Sequence, residues 1–300
     1  MQKRRIIFVP GKNPKPPADQ QRELLWRTML EGVRRAEPEC FKEMLRHSDD
    51  FKLIAWTYLY YKEIKDISRD LPWIDALINT HMASTEDIRE ANSWNRKFYS
   101  LLLTLADIFP FIIPLLPKPM SSSAKETNRY FTNKDDTACD IRDMLKDELR
   151  KCLANNEKIL LIGHSLGSVI AYDTLWELSH LEHLPGKIDL FMTLGSPLGM
   201  KYIQHRLMGY GRHNKKQYPT NIRRWTNVSA EGDLVALGKD FSKSFESMLA
   251  LNLLESIDNH SEGIYNFFRN EEGLNSHRSY GYLVNPAVGK IIADWWKEDD

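Results

Sequence analysis

Two short, unbroken apolar runs, Ile6-Ile7-Phe8-Val9 and Ile159-Leu160-Leu161-Ile162, constrain this chain most, because each stops abruptly at turn residues, Pro10-Gly11 and Gly163. A strand with one wet face alternates apolar and polar side chains. A run without alternation belongs to a strand covered on both faces, as in a parallel sheet. Ile188–Leu194, stopped by Gly195-Ser196-Pro197, and Ile222–Val228, ending near Gly232 and Asp233, read as further strands. Leu53 to Tyr61 and Ile264 to Phe268 are expected to supply a second strand and the last one.

Helical spacing fills the intervals. Trp26, Met29, Leu30 and Val33 repeat until Pro38 intervenes, and Ile141, Met144, Leu145, Leu149, Cys152 and Leu153 share one face of a helix that Asp135 or Asp136 can cap. Phe241 to Ile257 carries apolar residues at mixed helical spacing, and Asn285 before Pro286 starts a closing helix through Val288, Ile291, Ile292 and Trp295. Strand and helix alternating over 300 residues predict a single α/β domain built on a doubly wound, mostly parallel central sheet.

Residues from about 62 to 130 break the alternation and read as a helical cap or lid insertion. Within it, Phe98 to Pro117 holds Asp107 as its only charge among a mass of leucine, isoleucine and phenylalanine. Its length would permit a membrane span, but Pro110, Pro114 and Pro117 each remove a helical hydrogen bond that lipid cannot replace. Two readings stand: helices and a loop packed over the core, or a mobile apolar cap or interfacial anchor over an active site, the anchor making peripheral membrane contact.

The 41 basic and 41 acidic side chains cancel, so no global field recommends nucleic acid as a partner. Charge is less even locally, since no carboxylate lies between Asp189 and Glu231 while Lys201, Arg206, Arg212, Lys215, Lys216, Arg223 and Arg224 fall there. That stretch is either a solvated loop or a basic rim that meets an anionic substrate or lipid headgroup. Cys40, Cys139 and Cys152 make no disulfide framework, and the start of the chain does not read as a signal peptide. The expected compartment is a reducing cytoplasm, with membrane association through Phe98 to Pro117 as an addition. No zinc spacing, phosphate-cradling loop or dinucleotide fingerprint is present, so neither metal nor cofactor is expected.

The chemistry concentrates at Gly163-His164-Ser165-Leu166-Gly167, a G-x-S-x-G pattern between an apolar strand and a helix through Val169, Ile170 and Leu175. A serine on such a turn is held in a strained conformation, and small residues two before and two after it let neighbouring backbones approach. Its hydroxyl then stands at the carboxyl edge of the sheet, where parallel sheets place their sites.

Ile159 to Ser168 resembles the nucleophile elbow of α/β-hydrolases, particularly the lipase and esterase branch with its GHSLG form. The likeness is strong at the elbow, moderate at the acid and histidine loops and weak in the insertion. It implies a triad in the chain order serine, acid, histidine.

Of nine histidines, His277 alone lies after the expected last strand and before the closing helix, which makes it the general base for Ser165. His164 is expected to face away from the serine and to pack or bond locally; His180, His183, His205, His213 and His260 sit elsewhere. Asp233 follows the strand Ile222–Val228 in a glycine-aspartate pair and is the expected acid, with Glu231, Asp240 and Asp258 as competitors. The resemblance further implies an oxyanion hole from the backbone of Leu166 and of Gly11 or Lys12, although Pro10-Gly11 replaces the commoner histidine-glycine form. Ser196 reads as a turn serine beside the pocket.

These residues point to a serine hydrolase that cleaves a carboxylic ester of an apolar acyl or lipid-like substrate through an acyl-enzyme. An acyltransferase, thioesterase or amidase on the same triad is the enzymatic alternative. A non-catalytic interaction module carrying a relic elbow is the other.

Overall fold

Strand β1 (Arg4–Val9) lies beside β3 (Lys158–His164) with Val9 opposite Gly163, and the chain leaves the two ends in opposite directions. The computed structural model describes residues 2–108, 126–133, 135–236 and 241–298. From β1 the chain reaches β2 (Phe51–Leu53) on one side; from β3 it reaches β4 (Ile188–Leu194), β5 (Ile222–Val228) and β6 (Ser256–His260) on the other. The resulting order is β2-β1-β3-β4-β5-β6, and all five pairings are parallel. A reversal of winding direction opens a crevice at the carboxyl ends of the strands that flank it, here β1 and β3.

The unbroken apolar runs have a direct cause. Ile6, Phe8, Leu160 and Ile162 point into one core, packed by the helices Ala18–Ala36 and Pro286–Lys297. Their alternates Ile7, Val9, Ile159 and Leu161 point into the other, packed by Thr137–Ala154 and Leu166–His180. Both faces of the sheet are covered, so both residue parities must be apolar. Asn285 starts the closing helix as expected, its Oδ1 accepting from the Ala287 amide at 2.9 Å.

Several expectations are corrected. The second strand is Phe51–Leu53, so of the expected run Leu53 to Tyr61 only Leu53 is strand; Thr57–Tyr61 is a short helix, and Trp56 leaves the sheet and donates its indole N–H to the Pro10 carbonyl at 2.8 Å. The last sheet strand is Ser256–His260, whose polar sequence suits an edge, while Ile264 to Phe268 forms a buried loop. Asp136 sits at the start of the Thr137–Ala154 helix without a side-chain bond to it. Asn133 performs that task, its Oδ1 accepting from the Ala138 amide at 2.9 Å.

The stretch from 62 to 108 folds into the helices Leu71–Asn79, Thr85–Ala91 and Trp94–Ile108. Ser84 and Asp87 close a reciprocal capping box at the second of them. Trp94, Phe98 and Leu101 are exposed on the third. The remainder of the apolar stretch, Phe109 to Pro117, lies outside the described residues. No helix among those described is long and apolar enough to cross a membrane. In the carboxylate-free stretch, Arg206 and Arg212 lie over the rings of Tyr202 and Trp176, and Arg223 and Arg224 pair with Glu255 and Glu298.

Candidate active site

Ser165 occupies the turn between β3 and the helix Leu166–His180 with φ 53° and ψ −128°, a region that residues with a Cβ seldom enter. The surrounding glycines make this turn possible. A Cβ at Gly163 would come 2.6 Å from Ser168 Cα, and one at Gly167 would come 2.1 Å from the Val9 carbonyl oxygen. The turn is further held by the sheet, since the Ser165 amide donates to the Leu194 carbonyl at 3.0 Å.

His277 reaches Ser165 from the loop before the closing helices, 112 residues downstream. Its Nε2 lies 2.8 Å from Ser165 Oγ, and its Nδ1 lies 2.8 Å from Asp233 Oδ2. Asp233 stands just beyond β5, with its side chain fully removed from solvent. A carboxylate can only accept, so Nδ1 carries the imidazole proton and Nε2 is left as the acceptor for the serine hydroxyl. Burial pushes the Asp233 carboxyl up, but the charge of His277 and hydrogen bonds from His277, Tyr282 and the Val235 amide outweigh it and hold the carboxyl below its ordinary range.

The expected competitors of Asp233 lie elsewhere. Glu231 accepts from the Gly263 amide at 3.4 Å, and Asp258 projects from edge strand β6 toward Ser256. Asp240 lies outside the described residues. Ser196 is the expected turn serine, accepting from the Leu198 amide at 3.2 Å, and its hydroxyl also shares a hydrogen bond of 2.7 Å with Ser168.

Four residues that the sequence reading did not assign to the site take part in it. Tyr282 donates its hydroxyl to Asp233 Oδ2 at 2.6 Å and accepts from the Ala230 amide at 2.9 Å. Burial and the adjacent carboxylate raise its phenol well above the ordinary value, so it remains a donor. Gly195, at φ 54°, passes so close that a Cβ would lie 2.8 Å from Asp233 Oδ2 and 3.1 Å from His277 Nδ1.

Arg96, on the Trp94–Ile108 helix, ties both loops together. It donates to the Gly232 carbonyl at 2.9 Å, the Leu274 carbonyl at 2.6 Å and Ser276 Oγ at 3.3 Å. Gly232 and Ser276 immediately precede Asp233 and His277 in the chain, and Leu274 lies just upstream of His277.

His164 corrects an expectation. It bonds across 113 residues rather than locally, its Nε2 donating to the His277 carbonyl at 2.9 Å with the two rings 4.9 Å apart. Burial, reinforced by the charges of His277 and Lys15, lowers its pKa well below the ordinary value and keeps it neutral. Its Nδ1 is buried without a hydrogen-bond partner among the described residues.

Gly11, at the end of β1, borders the serine from the other side: a Cβ there would stand 2.8 Å from Ser165 Cβ and 2.9 Å from His164 Nδ1. The backbone at Gly11 therefore runs past Ser165, while Leu166 follows that serine at the start of the helix. The site combines a hydroxyl, a base able to take its proton and a buried carboxylate that fixes the base's tautomer. Among the described residues, no cluster of three or more His, Cys, Asp or Glu side chains is placed to hold a metal ion. No protein-family profile, curated protein or solved structure matches this chain.

Proposed function

We propose that this chain is a serine hydrolase of the α/β-hydrolase fold that cleaves carboxylic esters of apolar acyl groups. The observation that carries the reading is the continuous relay from Ser165 Oγ through His277 to Asp233, with both links at 2.8 Å. In this reading His277 Nε2 takes the hydroxyl proton as Ser165 Oγ attacks the ester carbonyl, and Asp233 stabilises the imidazolium that results. The amides of Leu166 and of Gly11 or Lys12 receive the developing oxyanion. His277 then protonates the departing alcohol, and a water activated by the same base releases the acid from the acyl-enzyme.

The lipid-like character of the substrate rests on the insertion. Its helix Trp94–Ile108 presents Trp94, Phe98 and Leu101 outward and is fastened to the acid and histidine loops through Arg96. An apolar cap joined to the triad loops suits an apolar acyl chain and peripheral contact with a lipid surface.

A panel of chromogenic esters of graded acyl length tests the proposal. Hydrolysis by the wild type, lost by at least a thousandfold in Ser165→Ala, is expected. Absence of turnover across the whole panel would favour a binding module instead.

A further inference from the structure

The loop after β1, in which Gly11 abuts Ser165, carries two lysines in Gly11-Lys12-Asn13-Pro14-Lys15-Pro16-Pro17. We infer that Lys15, with Lys12 next to it, forms a subsite for an anionic group, carboxylate or phosphate, carried by the substrate.

Position supports this first. Three prolines stiffen the loop, and the Lys15 carbonyl is fixed by the Lys65 amide at 2.9 Å. The Lys15 ammonium folds back to donate to the Lys12 carbonyl at 2.8 Å. Because Gly11 abuts Ser165, standard bond lengths put that ammonium no more than about 13 Å from the serine. Lys15 is close enough to His164 for its charge to depress that imidazole.

Charge supports it second. Lys12, Lys15, Lys65 and Arg278 gather here, and Asp70 and Glu126 are carboxylates that meet them. Asp70 Oδ2 takes both Lys65, at 2.6 Å, and Arg278, at 2.5 Å, while Glu126 lies 3.5 Å from Lys12. Among the described residues no carboxylate pairs with Lys15, whose ammonium has three protons to donate and spends one on a carbonyl. Burial, then the neighbouring charges of Arg278 and Lys65, push it down to about 7 against the smaller opposing pull of the Asp70 carboxylate. A cation held at such cost beside a candidate nucleophile is stabilised once an anion docks against it.

The inference rests on the hydrolase reading for the word substrate, so its test includes a measurement independent of turnover. Two ester pairs are compared: the 4-nitrophenyl half-ester of glutarate against 4-nitrophenyl pentanoate, and butyryl glycerol phosphate against butyryl glycerol. The wild type is expected to prefer the anionic member of one pair at least tenfold in kcat/KM, through KM. A preference in the first pair places the anion on the acyl side, and one in the second on the alcohol side. The preference ratio should fall close to one in Lys15→Met and survive in Lys15→Arg, whose thermal midpoints report their folding.

Calorimetry of glutarate and of inorganic phosphate binding to Ser165→Ala, with and without Lys15→Met, supplies the second readout. Anion binding that requires Lys15 without hydrolysis of any ester would keep the subsite and sink the hydrolase reading. Ester hydrolysis with no anionic preference in the wild type, and no Lys15-dependent anion binding, would overturn the subsite and leave the hydrolase reading standing.

Discussion

Tyr282 and His277 share one acceptor, Asp233 Oδ2, with the phenol at 2.6 Å and the imidazole Nδ1 at 2.8 Å. The tyrosine is thus coupled to His277 through Asp233. Tyr282→Phe removes one charge-assisted donor from a buried carboxylate and leaves the Ala230 amide without its acceptor. Such a bond is worth about 1.5 to 3 kcal/mol, so kcat/KM is expected to fall about tenfold or more. The acidic limb of the pH–rate profile should also move, because the carboxylate is less well held. A Phe variant with the wild-type rate and profile would assign Tyr282 to packing alone.

Arg96 binds carbonyls on both loops that deliver Asp233 and His277. Arg96→Ala should therefore disturb the relative placement of Asp233 and His277, and displacement on the order of 1 Å can cost about a hundredfold in rate. The expected result is a lower kcat with KM little changed. Loss confined to KM would mean that Arg96 shapes only the substrate cavity.

Gly195→Ala forces a methyl group to within 2.8 Å of Asp233 Oδ2, at a backbone φ of 54°. The left-handed backbone alone disfavours alanine by about 1 kcal/mol, and the contact must also push the carboxylate away from His277. Activity should drop far more than the melting temperature does. Unaltered activity would show that the acid loop yields freely.

His164 is buried and neutral, with its pKa below the unfolded value. As pH falls, the unfolded chain binds the proton first. The stability of the folded state is complete above about pH 6.5 and declines below it, down to the folded-state pKa of this ring. Denaturant titrations from pH 8 to 5 should show this loss, and His164→Gln should flatten the curve in that window. A variant with the wild-type slope would assign the acid sensitivity to other groups.

What the sequence discloses here follows how local the physics is. The ends of β1, β3 and β4 are legible because apolar runs stop at glycine or proline, and Ser165 because its turn needs Gly163 and Gly167 within five residues. His277 and Asp233 are legible by position in the alternation, and the structure brings both to Ser165. Strand β6 escapes notice because an edge strand reading Ser-Ile-Asp-Asn-His buries too little to be apolar. The stretch Leu53 to Tyr61 misleads because aromatic residues suit a packed helix as well as a strand. Tyr282, His164 and Arg96 leave no local sign, since each acts through a partner 49 or more residues away.

The most direct test of the central claim is the intact-mass and peptide spectrum of the protein after exposure to a fluorophosphonate. A single adduct on Ser165, slowed at least a hundredfold in His277→Ala and absent in Ser165→Ala, is the predicted result. A wild type that takes up no adduct, or takes it up on another residue, would contradict the account.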